Sequence, residues 1–350
     1  MERAANKADR LLQLEALLLA HPAGLRRAEI ARRLGVHRST IGRDVDDLSQ
    51  RVPIWQSGPR LGINRDDYQV GLRLTMHEAM AVHLAARLLA GHCDKHNPHA
   101  GAALRKLGLA LEKLAPLVSQ HLQRSADAMD CAAQRRDPVY LEVLETLTRA
   151  WSAGRQVSLS HQSPDGTVHT YTLSPYYIEP YAPGRTAHVI GRRDPPGALR
   201  TLKLERIRRI ELLETPYRIP AGFDPRDHLA DAWGIWTTES EPVEVVLQFS
   251  PRVAGRVRET RWHRSEQVEE GPGGSVLWRG RIAEPQEMVP WIRGWGADVE
   301  VLAPAGLRDA LAREARRLAE AYGWVEGEEP RDLEVGGVPG DTRSCRGHDE

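Results

Sequence analysis

Two groups of side chains in this sequence have the chemistry to hold a nucleic acid. The first is His37-Arg38-Ser39-Thr40, followed by Arg43. Arginine suits guanine edges and phosphates, and the hydroxyls of Ser39 and Thr40 suit phosphates or either base edge. The second runs from Arg185 to Arg209, where eight basic residues stand against only Asp194 and Glu205 in a chain of formal net charge zero. Within it Arg200, Lys203 and Arg206 follow one another at intervals of three. Arginine clamps phosphates with two parallel bonds and lysine adds a point charge. Tyr176, Tyr177, Tyr181, His161 and His188 add rings on which bases stack. For both groups the competing reading is a solvated basic face.

The first group needs a scaffold that presents a helix end. Residues 7–20 carry Leu11, Leu14, Leu17 and Leu18 at helical spacing. A short helix over 27–34 ends at Gly35, and a third follows over about 38–50 with Ile41, Val45 and Leu48 inward. The glycine-containing turn places Val36 between the two helices, so the residues at the start of the third would enter the major groove. Asp44 reads as one half of a structural pair. Two short strands around Gly58-Pro59, the second from Ile63 to Val70, form a hairpin, or wing, from which Arg60 and Arg65 would reach the backbone or minor groove.

Residues 74–125 and 139–152 read as Ala- and Leu-rich helices, interrupted between Cys93 and Gly101 and ended by Gly154. Beyond Gln156 the period changes to short strands at 157–161, 169–173, 176–180, 188–191 and 199–204, a spacing that suggests a small barrel. In the last of these Leu202 and Leu204 would face the core and Lys203 the other side. Arg200 and Arg206 would flank the strand ends. From Val243 the order strand-helix-strand-strand-helix-strand-helix is that of a ferredoxin-like fold. The expected divisions are 1–70, 71–152, 153–238, 239–325 and a disordered tail at 326–350.

The run Val36-His37-Arg38-Ser39-Thr40-Ile41-Gly42-Arg43-Asp44-Val45 resembles the helix-turn-helix of DeoR-like regulators, with His37 where that family carries a helix-capping serine. An imidazole is not expected to cap as a hydroxyl does, so Ser39 is expected to cap instead and move the helix start. Ala187-His188-Val189-Ile190-Gly191, Arg200-Thr201-Leu202-Lys203-Leu204-Glu205-Arg206-Ile207 and Pro175-Tyr176-Tyr177-Ile178-Glu179-Pro180 resemble the strands of a WYL domain. His161 stands where many members have Tyr. Trp262-His263, Gly294-Trp295-Gly296 and Val299-Glu300-Val301-Leu302-Ala303-Pro304 resemble the C-terminal extension of WYL regulators. The resemblance implies an SH3/Sm-like barrel. In it His161, Tyr177, Arg185, His188, Arg200, Lys203 and Arg206 would bind single-stranded nucleic acid or a nucleotide, and the extension would contribute to dimer contacts.

Other chemistries find less support. Three histidines and Cys93 lie within residues 92–99, yet structural zinc sites draw ligand pairs from two separated segments, so a polar loop is the better reading and no cofactor is expected. The tryptophans late in the chain read as core. Phosphate-binding loops, nucleophile elbows and paired metal-protease histidines are absent from the sequence, which speaks against an enzyme. Three scattered cysteines imply no disulfide framework, and no apolar run approaches a membrane span. The expected protein is therefore a cytoplasmic, homodimeric transcription regulator of multidomain α+β fold that reads a double-stranded operator and senses a nucleic-acid-like effector. Two rivals are a nucleic-acid-binding accessory protein of a defence system that touches no promoter and, less favoured, a nucleotide-processing enzyme.

Overall fold

The computed structural model describes residues 7–92, 94–131, 136–181 and 183–323. Cys93, Cys345 and the tail expected at 326–350 lie outside them. The architecture is mixed α/β, with several antiparallel sheets. By its contacts the chain divides into two compact units. The first holds the described residues through Pro175 together with 182–186 and 204–216, and the second holds 176–181, 187–203 and 217 onward.

The first unit opens with α1 (Lys7–Leu19), β1 (Leu25–Arg26), α2 (Arg27–Leu34), α3 (Arg38–Ser49), β2 (Ile54–Ser57) and β3 (Arg60–Ile63). Leu14 and Leu18 of α1, Ile30 of α2 and Ile41, Val45 and Leu48 of α3 bury their apolar stripes in one core. Gly35 closes α2 at φ +66°, returning its N–H to the carbonyls of Ala31 and Arg32. Only glycine adopts this left-handed cap without steric cost. The expected hairpin exists, but its second strand begins at Arg60, so Asn64 to Val70 is loop. A further strand, β1, pairs with β3 to give the order β1-β3-β2. Its two residues are too few to leave a periodic signal. The indole of Trp55 lies flat against Gly62, where an added Cβ would come within 2.3 Å of the ring.

Four helices follow: α4 (Met76–His92), α5 (Pro98–Leu111), α6 (Pro116–Cys131) and α7 (Pro138–Ala153). Asn97 and Asp137 cap α5 and α7 ahead of a proline in the first turn. Ala79, Leu104, Leu111, Leu122, Ala126 and Met129 form a core shared by α4, α5 and α6. The interhelical break between α5 and α6 lies where the sequence suggested continuous helix. Pro116 starts the new helix, because proline has no N–H to give to the preceding turn.

A five-stranded sheet comes next: β4 (Arg155–Gln162), β5 (Val168–Tyr181), β6 (Thr186–Asp194), β7 (Ala198–Lys203) and β8 (Ile207–Pro216), in the order β7-β6-β5-β4-β8. Two expected strands are the single strand β5, which runs straight through Pro175, and β8 was not foreseen. The expected barrel is not closed. β7 and β8 are the edges of an open sheet, because the chain leaves the extended conformation between them in a 3-10 turn at Leu204–Arg206. Val143, Leu147 and Ala150 of α7 are fully buried in the first unit.

The remainder of the second unit comprises α8 (Pro225–His228), β9 (Val243–Phe249), α9 (Ala254–Glu259), β10 (Gln267–Glu270), β11 (Val276–Ile282), α10 (Val289–Arg293), β12 (Val299–Ala303) and α11 (Ala305–Ala321). The antiparallel order β10-β11-β9-β12 is that of the split βαβ fold, as expected. Trp278, Phe249 and Trp295 are core residues, with Trp233, Trp262 and Trp291 packed against them. Among the described residues no helix is long and apolar enough to cross a membrane.

Candidate nucleic-acid interface

The geometry at the start of α3 corrects one expectation. The helix begins at Arg38, and His37 is its cap: Nδ1 accepts the Ser39 N–H at 3.3 Å and lies 2.8 Å from Ser39 Oγ. An imidazole nitrogen presenting its lone pair does what a serine oxygen would do. The inward stripe of Ile41, Val45 and Leu48 turns His37, Arg38, Ser39 and Arg43 outward, with Thr40 half-buried beside them. Among the described residues neither Arg38 nor Arg43 has an ion pair.

Asp44 is 1 % exposed. Its carboxylate accepts Nε and Nη2 of Arg10 at 2.6 and 2.9 Å. The structural pair is therefore with α1. These hydrogen bonds draw the Arg10 pKa above its ordinary value. Arg60 and Arg65 are occupied differently from the free wing cations that the sequence suggested. Arg60 donates to the Gly24 carbonyl at 2.8 Å, and Arg65 donates to the Leu19 carbonyl at the end of α1, where a cation meets the negative end of the helix.

In the second unit, Tyr177, Glu179 and Tyr181 alternate onto one face of β5. Tyr181 meets His188 of β6 edge-on, with centroids 5.7 Å apart. His188 stands directly opposite Lys203 of β7, so these two side chains share that face. Two of the expected ligand residues, His188 and Lys203, are thus brought together, and Tyr177 lies on the same face further along β5. Arg200 is not: it lies within β7 rather than beyond its end, and an odd spacing from Lys203 turns it to the opposite face. Tyr176 likewise points away, into a stack with Tyr217 and Phe223.

Tyr181 is held on three sides. Its hydroxyl donates to Glu287, and its ring lies where a Cβ on Gly234 would come within 2.3 Å. Burial, with Glu287 next, pushes its pKa up to about 12. The Glu287 carboxylate is itself buried and accepts the N–H groups of Gly234, Ile235 and Trp236 at 2.9, 2.8 and 3.2 Å. Sequence reasoning missed Glu179 and Glu287. Glu179 was available from the two-residue period through Tyr177, whereas Glu287 depends on a contact spanning more than 50 residues.

His161, Arg185 and Arg206 belong to the first unit. His161, on β4, is 9 % exposed, and burial, then the charge of Arg206 and of His169, lowers its pKa. Arg185 adopts φ +50°, a left-handed conformation uncommon outside glycine, and its carbonyl accepts the Asp94 N–H at 3.0 Å. Two histidines of the 92–99 run act as ties: His96 meets Asp130 at 3.0 Å and His99 meets Glu145 at 2.8 Å.

Comparison with known proteins places two domains on this framework. Residues 142–212 match the WYL domain, and residues 241–319 match the WCX domain. Among solved structures, proteasome accessory factor B/C (PafBC) of Arthrobacter aurescens is similar at 19% identity over 92% of this chain, with a TM-score of 0.34. This chain spans 49% of that protein's length. A CRISPR Cas-related protein is similar at 12% identity over 75% of this chain and 90% of its own, with a TM-score of 0.41.

Proposed function

We propose that this chain, a WYL-domain protein with a WCX domain behind it, is a ligand-responsive transcription regulator of the cytoplasm that has no catalytic step of its own. Its three N-terminal helices and small sheet act as a winged helix-turn-helix. α3 enters the major groove with His37, Arg38, Ser39, Thr40 and Arg43 toward the duplex, most of these contacts going to phosphates. The WYL domain, read as a curled sheet of SH3 type, receives a single-stranded nucleic acid or nucleotide. A homodimer presents two heads to two half-sites, and effector binding favours one dimer geometry over the other.

The observation that carries this reading is the exposed row at the start of α3. Its two arginines have no ion pair among the described residues, while the neighbouring Asp44 is committed to Arg10. Arg60 and Arg65 support the reading as braces of the head rather than as groove contacts.

The test is binding of the full chain to the duplex upstream of its own gene, across a salt series, with and without short single strands. Sequence-specific binding that the single strand alters is the expected result. Sequence-blind duplex binding that vanishes with salt would replace it with an accessory protein that acts on single strands.

A further inference from the structure

The face of β5, β6 and β7 in the second unit holds two unneutralised charges of opposite sign. Glu179 and Lys203 are both half-buried, and among the described residues neither has an ion pair. Burial draws the Glu179 pKa upward and outweighs the hydrogen bond from Tyr177, which acts the other way, as expected for a buried carboxylate with no cation beside it. The rings of Tyr181 and His188 stand on the same face, and Tyr177, two residues before Glu179 on β5, donates its hydroxyl to one oxygen of the Glu179 carboxylate. β5 and β7 are two strand spacings apart, about 10 Å between their backbones. A basic pocket built only for phosphate has no use for Glu179, because a carboxylate repels the anion.

We propose that Glu179 reads the base of a bound nucleotide and selects guanine, with Lys203 taking the phosphate and Tyr181 the face of the ring. This rests on the reading of the WYL domain as the effector site. An ionised carboxylate only accepts hydrogen bonds. Guanine alone presents two adjacent donors on its Watson–Crick edge, the N1–H and the 2-amino group, and the two carboxylate oxygens match both. Adenine offers an acceptor at N1 and hypoxanthine lacks the 2-amino group. The rigid seating of Tyr181 against Gly234 and Glu287 supplies a fixed stacking surface of the kind that single-strand readers use. The Glu287 carboxylate is consumed by three backbone N–H groups and takes no part in reading.

The experiment is equilibrium binding of guanosine, inosine and adenosine monophosphates to the full chain. Pentathymidylate with a central dG or dA in place of one dT is the second probe. The expected result is a preference for guanine over adenine of at least about tenfold, the size of one well-made polar contact, with inosine between. Glu179→Gln brings the ratio to near one, and Lys203→Ala weakens all nucleotides alike while keeping the ratio. The comparison among natural bases needs no variant, so it stands even if a substituted chain folds poorly. Equal binding of guanine and adenine, or a ratio unmoved by Glu179→Gln, overturns the proposal and leaves the effector site in place. No binding of any probe overturns both.

Discussion

Arg10 and Asp44 stand 34 residues apart in the chain and meet through two bonds, Nε to Oδ2 at 2.6 Å and Nη2 to Oδ1 at 2.9 Å. The pair locks α1 against α3, and Asp44 is almost fully enclosed. Removing one member of a buried pair strands the other, at a cost of about 3–5 kcal/mol. Arg10→Met is therefore expected to unfold the N-terminal helices at markedly lower urea, followed by circular dichroism. A loss under about 1 kcal/mol would show that the pair is a surface contact.

Arg38 and Arg43 are exposed and take no part in the packing of the core. Alanine at either is expected to leave the melting temperature unchanged while weakening duplex binding about tenfold. The salt slope should fall by about one for each phosphate that the protein no longer neutralises. Unchanged affinity in the double variant would remove α3 from the interface.

Two glycines of the N-terminal domain are expected to respond differently to alanine. At Gly62 a Cβ would lie 2.3 Å from the Trp55 ring, so the indole must move, at a cost of roughly 1–3 kcal/mol. At Gly35 nothing lies within 4 Å, and only the φ of +66° resists, which costs about 1–2 kcal/mol. Trp55 emission should shift in Gly62→Ala alone. A shift in both would mean that the Gly35 turn also positions the ring.

His161 is held neutral by burial beside Arg206 and His169, so its folded pKa lies below the unfolded value of about 6.5. The unfolded chain then takes up the proton first as pH falls. The stability His161 contributes is complete above pH about 6.5 and is lost as pH drops toward the folded value. The slope is at most about 1.4 kcal/mol per pH unit for one histidine. His83, His228 and His263 are depressed by burial as well, so the whole chain should weaken in acid. His161→Phe should flatten the profile between pH 7 and 5; an identical slope would mean that His161 is solvated.

The sequence made the helices and the C-terminal fold legible because their apolar periods are strong. Val243–Phe249, Gln267–Glu270 and Val276–Ile282 are read to the residue, the first and third being runs rich in β-formers. The central sheet was harder. Pro175 looks like a break, yet β5 passes through it, and β8 hides behind a run of arginines. Barrel closure depends on pairing between distant strands, which no local pattern encodes. For the candidate sites, residue types located α3 and the face with Tyr177, His188 and Lys203. Side-chain direction did not follow from spacing alone: Arg200 and Lys203 look like neighbours in sequence but point apart on a strand. Arg60 and Arg65, exposed cations by composition, proved to donate to the carbonyls of Gly24 and Leu19.

The path of the chain between the two units bears on how such a protein is taken apart. It passes from one to the other at 175/176, 181/182, 186/187, 203/204 and 216/217. No single cut releases either unit, and a truncation at the end of α7 would leave the sheet without a helix that the WYL match includes. The segment from Lys7 to Ile63, by contrast, is continuous and has its own core. An exchange of the N-terminal segment between related chains is therefore a one-junction operation in the loop after Ile63, whereas an exchange of the WYL-matching region has to carry both units together.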